Sequence, residues 1–69
     1  MRRYAVIIEK GETSYGAYVP DLPGCVAAAE TLDEVKRLIA EAVPFHLEGL
    51  RENGQTIPEP ATLCEYVEV

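Results

Sequence analysis

The stretch "YVPDLPGCVAAAET", Tyr18 to Thr31, decides how this chain folds. Pro20 suits the end of the preceding strand, where it has no ladder amide to donate. Pro23 and Gly24 suit the two central positions of a type II turn, proline fixing the first and glycine supplying positive φ at the second. Leu22 is placed to tuck under such a corner, and Cys25 to follow it as a small apolar residue. Asp21, the one charge inside it, is expected to face water. The stretch thus reads as a sheet corner: an aromatic strand, a tight turn, a short strand of small residues and a helix start.

Working outward, Arg3 to Glu9 is rich in β-branched and aromatic residues and reads as a strand. "EKGETS" breaks that pattern as a hairpin connection. Ser14 to Val19 alternates Tyr15, Ala17 and Val19 on one face with Gly16 and Tyr18 on the other. Cys25 to Ala29 is the third strand. In "TLDE", Thr31 and Glu34 have the spacing of a capping box, and Asp33 and Glu34 favour the positive end of the helix dipole. Leu32, Val35, Leu38, Ile39, Ala42, His46 and Leu50 then mark one buried stripe. Gly54 is a natural left-handed terminator. Pro44 lies inside this pattern and predicts a kink near Ala40 or Glu41 in one bent helix. Pro58 and Pro60 make "QTIPEPAT" an extended connection, and Leu63 to Val69 reads as a last strand.

The expectation is an α+β chain, β-β-β-α-β, in one domain over residues 1–69. Three strands meander antiparallel, and the helix crosses over to return a fourth strand parallel to the first. One helix covers only one face of such a sheet. The first strand is apolar on both, with Tyr4, Val6 and Ile8 on one side and Ala5 and Ile7 on the other. An uncovered apolar face usually means a partner, and a homo-oligomer is the simplest one.

Composition narrows the function. Six basic residues against twelve acidic give a net charge of −6. That charge repels phosphate backbones, and Arg2, Arg3, Lys10, Lys36, Arg37 and Arg51 are scattered, so direct nucleic-acid binding is disfavoured. The same charge suits a basic protein partner, and it equally serves solubility alone, the plainer account of the charge. No apolar run approaches the roughly 18–20 residues that span a bilayer. The apolar part of "MRRYAVIIEK" is too short for an export signal, so the reading is cytoplasmic. Cys25 and Cys64 have no CxxC spacing, and with one histidine they make neither a zinc site nor an expected disulfide.

Three chemistries compete with plainer readings of the same residues. A Cys25–His46 nucleophile would need positive surroundings, whereas Asp21 and Glu30 flank the cysteine. A two-metal nuclease would need carboxylates converging from strand, helix and last strand. Glu9, Glu34, Glu41, Glu48, Glu65 and Glu68 lie on those elements, with Asp33 the only aspartate among them. Tyr4, Tyr15, Tyr18 and Tyr66 could stack on bases, yet no basic residues accompany them, and packing is the better account. No cofactor is implied.

At "GAYVPDLPGCVAAAETLDEV" the chain resembles the HicB family of antitoxins and the small stand-alone proteins related to them. The resemblance rests on Tyr18, the corner Pro20, Leu22, Pro23, Gly24 and Cys25, the small residues Ala27 to Ala29, and the helix start Thr31 to Glu34. "HLEGLRENGQTIPEP", His46 to Pro60, is similar to the family's helix end and proline-rich link. The resemblance implies a partial RNase H-like fold in dimers or higher oligomers. It also implies that the domain binds and masks a small basic mRNA-cleaving toxin, HicA. Many members carry a further C-terminal DNA-binding domain; this chain stops at Val69, so none is expected. Pro44 stands where such a helix ordinarily carries a helix former. The resulting expectation is a non-enzymatic antitoxin-like module. The alternatives are a stand-alone oligomeric scaffold or regulator and, third, a metal-dependent nuclease.

Overall fold

In a computed structural model describing residues 2–69, three strands precede one long helix. They are β1 (Ile7–Lys10), β2 (Tyr15–Tyr18) and β3 (Val26–Ala29), followed by α1 (Leu32–Glu52). The sheet order is β1-β2-β3 and both pairings are antiparallel. The fold is therefore α+β with a three-stranded meander.

The strands are shorter than the apolar runs that signal them, for a local reason. β1 and β2 pair from Lys10↔Tyr15 to Ile7↔Tyr18. Continuing toward Arg3 would require ladder partners from the corner that begins at Val19, and Pro20 has no amide to give. Residues 3–6 are thus left without a ladder. At the other end, the Gly11 amide donates to the Ser14 carbonyl at 2.8 Å and closes the hairpin.

The register sorts the side chains onto two faces. Ile8, Ala17 and Ala27 stand in one cross-strand row, with Tyr15 and Ala29 beside them, facing α1. α1 packs on β2 and β3 rather than on β1. Val35 and Ile39 are its buried residues, with Leu38, Ala42, Val43, Leu47 and Leu50 packed around the core they enter.

Both helix ends are closed chemically. The Thr31 hydroxyl accepts from the Glu34 amide at 3.2 Å, with Thr31 in extended backbone. At the far end Gly54 has φ +69°; its amide donates to the Arg51 carbonyl and the Gln55 amide to that of Leu50. This pair of bonds is a Schellman closure, which satisfies carbonyls that the helix leaves free. Pro44 lies inside one continuous helix on its exposed side, where the unpaired carbonyl of Ala40 can reach water.

The expected fourth strand is not formed. Residues 55–69 carry no regular structure, and among the described residues no backbone group of residues 63–69 makes a hydrogen bond. Leu63–Val69 has strand-forming residues but no ladder partner among the described residues.

Candidate functional site

The corner is built from two consecutive four-residue turns. The Leu22 amide donates to the Val19 carbonyl at 3.0 Å, spanning Pro20 and Asp21. The Cys25 amide donates to the Leu22 carbonyl at 3.0 Å, spanning Pro23 and Gly24. Gly24 has φ +87°, as the second central position of a type II turn requires. The Val19 amide then donates to the Cys25 carbonyl at 3.1 Å and locks the two turns together. Each proline occupies a first central position, where its fixed φ helps and its missing amide costs nothing. The residues at the turn ends, Val19, Leu22 and Cys25, are all buried, three of the seven members of the core.

Cys25 is accordingly a core residue. It is 2% exposed, and burial pushes its thiol pKa above the ordinary value, the opposite of what a nucleophile needs. His46 is half-buried on α1 and packs beside the corner. Its Cε1 lies 3.9 Å from where a Cβ on Gly24 would stand. No hydrogen bond joins Cys25 to His46 among the described residues.

The carboxylates weighed for metal chemistry do not converge. Among the described residues no three His, Cys, Asp or Glu side chains come together in a metal-holding group. The tyrosines are also dispersed. Tyr15 packs against the core on the helix side, Tyr18 is on the opposite face, and Tyr66 is 96% exposed. Tyr4 is part of a clip, donating from its hydroxyl to the Pro58 carbonyl at 2.6 Å.

Asp21 corrects the sequence reading, which gave it only to solvent. One carboxylate oxygen accepts from the amides of Ala61 and Thr62 at 2.9 and 3.0 Å. The other accepts from the Thr62 hydroxyl at 2.9 Å. Those bonds hold its pKa below the ordinary carboxylate value, the Ala61 amide first. Asp21 and Tyr4 together fasten the chain after α1 to the corner end of the sheet. Forty residues separate Asp21 from its partners, and no local pattern in the sequence announces the pairing.

The remaining surface of interest is the open face of the sheet, which α1 does not cover. Ile7, Tyr18 and Val26 form a cross-strand row there, Val26 being 64% exposed. The row continues into a shallow cleft of about 440 Å³ beside the corner, lined among others by Tyr18, Pro20, Pro23 and Val26. Its lining is mostly apolar and includes one carboxylate, Glu9, and the buried Cys25. It offers shape and hydrophobic contact.

Among the described residues no helix is long and apolar enough to cross a membrane. Comparison with known proteins gives relatives of several origins. A 14.9 kDa protein of Haemophilus phage HP1, from the rep-hol intergenic region, is 38% identical over 93% of this chain, which spans 48% of that protein. A UPF0150 protein of Archaeoglobus fulgidus is 43% identical over 80% of the chain and 84% of its own length. One from Helicobacter pylori is 43% identical over 64% of the chain and 61% of its own length. The chain thus spans about half of the phage protein and most of the archaeal one. The sequence profile of the HicB-like antitoxins of bacterial toxin-antitoxin systems matches residues 4–69, and the chain belongs to that family.

Proposed function

We propose that this chain is a non-enzymatic binding module that neutralises a small basic mRNA-cleaving toxin of the HicA type by covering its active surface. The observation that carries this reading is the surface left open by the fold: an apolar row, Ile7–Tyr18–Val26, on a chain of net charge −6. An acidic chain draws a basic ribonuclease into encounter, and an apolar face excludes water once contact is made. The buried, unactivated Cys25 and the scattered carboxylates favour binding over catalysis. In this reading the protein works in the cytoplasm as a homo-oligomer. The three-stranded sheet is read as a partial RNase H-like one.

The test uses a small basic ribonuclease of the HicA type, purified separately. Titrating this chain into an RNA-cleavage assay is expected to abolish cleavage at a fixed molar ratio. Val26→Glu, which places a charge on the exposed row and leaves the core intact, is expected to need a large excess for the same effect. Cleavage that persists at saturating wild-type chain contradicts the proposal.

A further inference from the structure

We infer that the open face of the sheet seats one arginine side chain of the basic partner, over Gly16 and between Glu9 and Tyr18; this rests on the toxin reading and names what that toxin must present. The starting point is a glycine that the fold does not need. Gly16 lies inside β2, the central strand, where glycine weakens a sheet and a β-branched residue would strengthen it. Its φ is not positive, and a Cβ placed there would meet nothing within 4 Å. The ladder runs through it on both sides without a bulge. No turn and no close packing within the chain therefore calls for glycine at this position. What the missing side chain leaves is a hollow on the outer surface, and a strand glycine of this kind marks a close approach by another molecule.

The register shows what surrounds the hollow. Glu9, Gly16 and Ala28 are cross-strand neighbours, and Ile7, Tyr18 and Val26 form the next row on the same face. The two rows stand about 7 Å apart along the strands. The floor is thus made of two small residues, with a carboxylate on one side and a tyrosine one step along the strand. Glu9, Gly16, Tyr18 and Val26 all line the cleft of about 440 Å³, which runs on to Pro20 and Pro23. Glu9 is the one charged residue in that lining, and it is exposed. It makes no ion pair among the described residues.

A single unpaired carboxylate at the end of an apolar trough fits a side chain that is apolar along its stem and cationic at its tip. Arginine and lysine share that build, and three features select arginine. The floor of Gly16 and Ala28 admits a flat group lying against it. Tyr18, 40% exposed, offers an aromatic surface on which a guanidinium stacks. Glu9 can accept two parallel hydrogen bonds from the guanidinium fork, where an ammonium makes only a point contact. Arginine is also the more weakly hydrated cation, which suits a face that dries on contact. The net charge of −6 draws a basic partner in, and Glu9 fixes where its arginine lands.

Isothermal titration of a HicA-type ribonuclease into the full chain reads the affinity. Glu9→Gln is expected to weaken binding about tenfold through the lost charge-assisted pair. Glu52→Gln makes the same change of charge on α1, outside the cleft, and is expected to weaken it by less than about twofold. Gly16→Val fills the hollow and is expected to weaken binding by about thirtyfold or more, with a urea midpoint no lower than that of wild type. Replacing the ribonuclease's arginines by lysine one at a time is expected to find one whose loss is not additive with Glu9→Gln. Variants at Glu9 and Gly16 that bind as tightly as wild type would overturn the inference and leave the toxin reading in place. So would a loss at Glu9 no larger than at Glu52, or no arginine coupled to Glu9. A wild-type chain that does not bind the ribonuclease would overturn both.

Discussion

The corner, Val19–Cys25, and the tail, Leu63–Val69, are seven residues each and similarly apolar, yet the structure treats them oppositely. In the corner three backbone hydrogen bonds close within the segment and every third side chain is buried. In the tail no backbone bond is made among the described residues, and the large side chains face solvent. Hydrophobicity does not explain the difference. The corner carries its own geometry, because prolines and a positive-φ glycine spare it most of the entropy of ordering. The tail is strand sequence, and a strand is satisfied only by another strand. A segment can thus be fully specified locally or specified only by what it meets.

Breaking the corner should have the largest effect. Leu22→Ala removes a fully buried side chain and is expected to cost about 2–4 kcal/mol, visible as an early urea midpoint. For a chain of this size that is a large part of its stability. Gly24→Val forces a β-branched residue to φ +87° and is expected to cost about 1–2 kcal/mol in the same measurement. Thr31→Ala, which removes the helix cap just past the corner strand, should cost about 1 kcal/mol.

Asp21 joins the two regions, and its test is one of pH. Its pKa is lower in the folded chain than the ordinary 3.8, so the folded state holds its proton less tightly than the unfolded one. Its contribution is complete above the ordinary value and fades as pH falls through the lower folded one. The protection factors of the Ala61 and Thr62 amides, taken relative to the intrinsic exchange rate, should therefore fall on acidification below that value. Asp21→Asn should lower them by roughly tenfold at neutral pH and remove their dependence on pH. The smallest effect belongs to the tail. Tyr66→Ser should shift the stability of the isolated chain by less than about 0.5 kcal/mol, since the side chain is 96% exposed.

These contrasts also explain what could be read from the residues alone. Meander, helix, cap and glycine terminator are local devices, and Pro23-Gly24, Thr31 and Gly54 announce them by type and position. The strand ends were less legible, because β1 stops where its partner turns away at Val19 rather than where its own apolar run stops. Leu63–Val69 looks like a strand because its composition is one, but pairing depends on a neighbour that no local pattern supplies. Asp21 was misread for a related reason: its partners are forty residues away. The open face was legible only as a conflict, a strand apolar on both sides with one helix to cover it.

Amide hydrogen exchange followed at low and high protein concentration tests the central contrast most directly. The account predicts that the Leu22 and Cys25 amides are protected equally at both concentrations. It predicts that the amides of residues 63–69 exchange freely in the dilute chain. Tail amides protected even in the dilute monomer would contradict it, because the fourth strand would then be complete within a single chain.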